Sequence, residues 1–238
     1  MEPKAVLIYD GTPDLVRATA LALAGAGARV VLTHTTQPES SALLAAELQA
    51  LGSDVVDAGH LHGADTPHLL DHVHRNLGGL RAVVNLLVPT VATTADALYD
   101  YPRRLEPRIE QTCNFMVEHG LSGIVINQFM LATMFAGHPL AFAAAASRGG
   151  VAGLTRTNCV RYGKAGVRVT GLFVGLLDLP EIKAMASEKV LAANTPLGHW
   201  ISAEDVAETV SFLALESGYI TGQMLVLDGG MTSGINGV

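Results

Sequence analysis

Short apolar runs recur along this chain, each followed by enough residues for one helix. They lie at residues 5–9, 29–33, 54–56, 82–87, 123–127, 167–173 and 224–227. Helical patterns fill the intervals. Regular alternation of this kind builds a parallel sheet with helices on both faces. The runs are nearly continuous in Val, Leu and Ile, as strands buried on both faces must be. The fold class expected is therefore α/β, a doubly wound parallel sheet of about seven strands. The sequence Ser202-Ala-Glu-Asp205 is a capping box that opens the last long helix. No Pro-, Gly- or Ser-rich linker divides the 238 residues, so a single domain over 1–238 is expected.

Charge and cysteine content narrow the function classes. The net charge is −7, which argues against a nucleic-acid groove or an anionic membrane as partner. The apolar stretch from residue 126 to 146 is interrupted by Asn127, Gln128, His138 and Pro139. It reads as a strand, a loop and a helix rather than a membrane span. No signal-peptide pattern opens the chain. Cys113 and Cys159 have no metal-like or redox spacing, so reduced thiols in a cytoplasmic protein are expected. Five histidines crowd residues 60–74: His60, His62, His68, His72 and His74. His68 and His72 share a helix face at a spacing that can hold a metal. Neither Cys nor an acidic ligand joins them in a motif, so a solvated helix is expected and no metal.

Ligands of doubly wound sheets bind beyond the carboxyl ends of the strands. The residues after Tyr9, Leu87, Asn127 and Phe173 should line such a site. Tyr9, Asp10 and Gln128 are polar candidates around it. Leu86, Leu87, Phe129, Met130, Leu131, Met134 and Phe173 supply an apolar lining suited to a small apolar molecule, or else fill the space themselves.

Three stretches, RATALALAGAGARVVLT, GVAGLTRTNCVRYGKAGVRV and EDVAETVSFLALESGYITGQMLVLDGG, resemble the short-chain dehydrogenase/reductase family. The resemblance covers the whole chain. It implies a seven-stranded Rossmann sheet and assembly as a homodimer or homotetramer. The helices of the main dimer interface fall at about 95–118 and 140–163.

Where the family carries its cofactor and catalytic motifs, this chain has other residues. The glycine loop falls on Tyr9, Asp10, Asp14 and Val16, with Gly11 near but out of register. The selector after the second strand falls near His34 and Thr35, and the adenine-side Asp near Gly59. The family's NNAG motif reads Asn85, Leu86, Leu87, Val88. Its Pro-Gly pair reads Val174, Gly175, and its Thr falls near Leu179. The catalytic Tyr and Lys fall on Ala144 and Arg148, the Ser on Leu131 or Met130, and the helix Asn near Asp100 or Tyr101. The related halohydrin dehalogenases also place an Arg where the family has Lys.

At the start of the first helix, Thr12 is expected as N-cap, Pro13 as the first helical residue and Asp14 as a first-turn anion. The helix start would then be capped by its own side chains. Asp10 would face a phosphate at a cost of about 1 kcal/mol at ~4 Å in water-like screening, or about 4 at an effective dielectric of ~20. From these departures we expect no cofactor and no useful NAD(P) binding. The leading expectation is a non-redox enzyme of lyase, isomerase, dehydratase or cyclase type on the old scaffold. Its catalytic candidates are His138 as general base, Arg148 as oxygen or carboxylate holder, and Asp178 and Asn127 as polar partners. One alternative is a non-catalytic homologue acting as oligomer partner, regulator or small-molecule binder. The other is a divergent NAD(P)H-dependent oxidoreductase.

Overall fold

The computed structural model describes residues 5–9, 11–33, 38–51, 53, 55–57, 66–86, 94–131, 139–184 and 186–233, of which 38–42 and 55–57 are described by their backbone alone. Seven strands form one sheet in the order β3-β2-β1-β4-β5-β6-β7. They are β1 (Ala5–Tyr9), β2 (Arg29–Thr33), β3 (Val55–Asp57), β4 (Leu80–Leu86), β5 (Ile124–Met130), β6 (Arg168–Val174) and β7 (Met224–Leu227). Every pairing is parallel. The long helices are α1 (Pro13–Gly25), α2 (Pro38–Ala50), α3 (Thr66–Leu77), α4 (Ala95–Glu118) and α5 (Ala141–Tyr162). Short α6 (Pro180–Lys183) and α7 (Glu188–Asn194) precede α8 (Ala203–Ser211).

Side chains alternate across the pleat, so each strand feeds two cores. In β2, Val30 and Leu32 join the cluster under α1, α2 and α8, while Val31 joins the one under α3, α4 and α5. In β5, Ile124, Ile126 and Met130 face α1 and α8, and Val125 and Phe129 face α4 and α5. Strand order reverses between β1 and β4, where a doubly wound sheet opens its ligand crevice. The capping box is present: Asp205 N–H donates to Ser202 Oγ at 3.0 Å, and Ser202 N–H donates to Asp205 Oδ2 at 2.8 Å. No helix among the described residues is long and apolar enough to cross a membrane.

Candidate functional site

The crevice begins at the turn from β1 into α1. Gly11 has φ +108°, and a Cβ built there would stand 2.8 Å from Val16 Cγ2 and 3.1 Å from Leu86 Cβ. Only glycine lets the turn close this far onto β4. Thr12 occupies the N-cap position and Pro13 opens the helix, as the sequence suggests. The self-capping expected there does not occur. The Thr12 hydroxyl is buried without a partner and accepts no hydrogen bond from the first turn. Pro13 has no N–H to offer, so Asp14 and Leu15 carry the first backbone donors, and the Thr12 side chain takes neither. The helix start therefore keeps the donors and positive dipole end that bind anions.

Behind the crevice, on the α4/α5 side, lies a buried polar chain. Asn85 Nδ2 donates to Asn127 Oδ1 at 2.9 Å, and Asn127 Nδ2 to Thr155 Oγ1 at 3.4 Å. Arg108 Nη1 donates to Asn85 Oδ1 at 3.4 Å, and its guanidinium lies 4.3 Å from the centroid of the Tyr9 ring. Asn85, Asn127 and Thr155 are all but fully buried. The chain thus ties β4, β5, α4 and α5 together beneath the site. Arg108 was missed at the sequence level. Its signal was available, because it falls on the α4 face marked by Tyr101, Leu105, Ile109 and Thr112.

The sequence candidates do not converge as one constellation. Asn127 lies inside β5, three residues before its end, and its amide is spent on Asn85 and Thr155. Gln128 points to the opposite face. Asp178 is half-exposed and pairs with Lys183 at 2.7 Å, while its N–H donates to Ile201 O. Arg148 sits on α5 with its guanidinium 5.3 Å from the Phe173 ring centroid. His138, Asp10, His34, Thr35, Gly59, His60 and His62 lie outside the described residues. His199 is exposed on the α7–α8 connection. Ala144 is buried against Leu98 of α4 and Ala143.

The expected apolar lining is also divided. Leu86 and Met130 belong to one core, and Phe129, Leu131 and Phe173 to the other, all buried to within 2% exposure. They are packing on both sides of the sheet rather than the wall of one cavity. Leu87 and Met134 fall outside the described residues. Of the histidine cluster, His68, His72 and His74 lie on α3, and His72 Nδ1 is 3.2 Å from Asn76 Nδ2. Among the described residues no three His, Cys, Asp or Glu side chains gather as metal ligands.

Residues 108–232 match the family described as enoyl-(acyl carrier protein) reductase. The chain belongs to the short-chain dehydrogenase/reductase family. A cis-4-hydroxycyclohexanecarboxylate dehydrogenase of Sinomonas cyclohexanicum is 28% identical over 95% of this chain and 84% of its own length. A 3-oxoacyl-acyl-carrier-protein reductase of Thermotoga maritima is 27% identical over 97% of this chain and 98% of its own. Among solved structures, a gluconate 5-dehydrogenase of Burkholderia cenocepacia, in complex with NADP and tartrate, superposes with a TM-score of 0.80 at 23% identity. It covers 99% of this chain and 97% of its own. A levodione reductase matches with a TM-score of 0.80 and 98% coverage of both chains.

These relatives overturn the expectation of a scaffold that has left redox chemistry and works without a cofactor. Those spanning nearly its whole length are dehydrogenases and reductases. The physical premise fails at the same place, because the supposedly self-capped helix start is open.

Proposed function

We propose that this protein is an oxidoreductase that moves a hydride between a nicotinamide dinucleotide and a small hydroxy or keto compound. The observation that carries this is the uncapped start of α1, reached from Gly11 at the switch between β1 and β4. Support also comes from the full-length likeness to dehydrogenases and reductases. The backbone donors at Asp14 and Leu15 suit a diphosphate. When bound, the dinucleotide supplies the hydride donor or acceptor.

The chain's own residues supply the rest. Arg148 takes the place of the family's Lys on α5. Its paired N–H donors orient a substrate oxygen and stabilise negative charge that develops there. The Phe173 ring centroid lies 5.3 Å from the guanidinium. Arg148 does not serve as proton donor, so the finer departure from the family lies in the proton route.

Asp14 stands exposed in the first turn and repels a phosphate. In exposed surroundings this costs about 1 kcal/mol at ~4 Å, roughly a fivefold loss of affinity. Calorimetric titration with NADH and NADPH tests the proposal. Saturable binding of one of them below about 1 mM is expected, tightened a few-fold by Asp14→Asn. Absence of binding of both at millimolar concentration refutes it.

A second copy of this chain is the partner proposed. Between α4 and α5 runs a surface groove of about 380 Å³, lined by Arg103, Glu106, Gly153, Leu154 and Arg161 among others. Phe142 and Val160 of α5 are 78% and 81% exposed. A second α4/α5 face would cover them. Light scattering at micromolar concentration should give a dimer or tetramer, and a strict monomer contradicts this.

A further inference from the structure

Gln128 is fully buried in β5, yet neither its Oε1 nor its Nε2 has a hydrogen-bond partner. No other described side chain leaves two orphaned polar atoms. Its surroundings cannot satisfy it. Leu86 and Leu172 flank it in register on β4 and β6. On its own strand, the same face carries Ile126 and Met130, which belong to the apolar cluster under α1 and α8. Leu or Met would suit that position by pattern. Native structures leave few buried amides unpaired, and one that persists asks for a ligand.

Its place indicates which ligand. Leu86, beside Gln128, is also the residue on which Gly11 closes down. The amide is thus one strand away from the β1–α1 turn, on the α1 side of the sheet. In a dinucleotide fold the diphosphate sits on the first helix and the adenosine half lies over the end of the second strand. The other half must then lie over β4, β5 and β6.

We propose that Gln128 recognises the nicotinamide carboxamide, an inference that rests on the dinucleotide reading above. The two groups are complementary: Nε2 donates to the carboxamide oxygen, and Oε1 accepts from the carboxamide nitrogen. Leu176, Leu177, Leu179 and Ile182, which follow β6, join the same cluster. Admitting the ring requires that segment to shift outward.

The test compares NADH with ADP-ribose, which lacks the nicotinamide, on the full chain by calorimetry. Gln128→Met keeps the volume and removes the amide, with Gln128→Leu as a second variant if the first folds poorly. The ligand-free melting temperature should rise, because a buried orphan is gone. NADH affinity should fall about tenfold, and ADP-ribose affinity should stay within twofold. Equal loss for both ligands, or no loss for NADH, overturns the role of Gln128 while leaving the dinucleotide reading intact. A wild-type protein that binds neither ligand refutes that reading, and this inference with it.

Discussion

Replacing Asn127 with Leu should destabilise the fold before it touches any chemistry. Asn127 accepts from Asn85 at 2.9 Å and donates to Thr155 at 3.4 Å, with all three side chains buried. Leucine removes two hydrogen bonds, each worth about 1 kcal/mol net. It also leaves the Asn85 Nδ2 donor in a dry interior, which costs about 1–3 kcal/mol. Apolar burial of the leucine offsets about 1 kcal/mol of this, so we expect a net loss of about 2–4 kcal/mol in urea unfolding. At roughly 2–4 °C per kcal/mol for a chain of this size, the melting temperature falls by about 5–15 °C. The double variant Asn85→Leu/Asn127→Leu should cost less than the sum of its parts, with a coupling of at least about 1 kcal/mol. A single-variant loss under about 0.5 kcal/mol, or strict additivity, refutes the network. Loss of turnover at unchanged stability would return Asn127 to the catalytic set.

Neighbouring glycines of α5 should respond with opposite signs. Gly149→Ala meets open space and should stabilise by about 0.5–1 kcal/mol, whereas a Cβ at Gly150 would stand 2.7 Å from Pro102 Cγ of α4 and should destabilise by about 1–3 kcal/mol. Two urea curves decide, and equal shifts contradict the packing. Cys113 is buried, which pushes its thiol up to about 12, with Glu110 adding and Arg161 opposing. A thiol reagent at pH 8 should therefore label half-buried Cys159 first and spare Cys113 until the protein unfolds; two fast thiols in the native protein argue otherwise. Asp205 is held below the usual carboxylate value, first by the Ser202 hydroxyl and then by the Ser202 N–H. Its contribution is full above the unfolded value of about 3.9 and is lost as pH falls through the lower folded value. The stability gap to Asp205→Ala, measured in urea, should be widest at neutral pH and narrow in strong acid.

Much of the fold was legible because its signals are local and periodic. The runs at 5–9, 29–33 and 224–227 became β1, β2 and β7 without a change of boundary. The two long helices at 95–118 and 140–163 lie within a residue of α4 and α5. β5 was expected to stop at Asn127 but continues to Met130, because Gln128 looks like a terminator. The strand instead tolerates a buried amide there, held by pairing to Leu86 and Leu172. The site was less legible, since its polar residues divide by strand parity. Asn127 and Gln128 are neighbours in the chain and lie on opposite sides of the sheet. Nor does composition reveal that the close approach available to the Gly-rich α5 is used at Gly150 against the protein's own α4.

The start of α1 shows why motif letters misjudged the chemistry. An anion needs free backbone donors at a helix end, not glycines as such. Glycines serve where backbone must come close or turn through positive φ. In this turn Gly11 takes that conformation, at φ +108°. Thr12 is a good cap by composition, but capping is a hydrogen bond, and its hydroxyl is turned into the protein instead. Pro13 removes one donor that had no intrahelical partner in any case. What remains, among the described residues, is a helix end with its donors open and one unfavourable charge at Asp14. That combination weakens a dinucleotide without excluding it, and it leaves room for an added contact at the nicotinamide end. The orphaned amide of Gln128, one strand away, is where the fold keeps an unused donor and acceptor together.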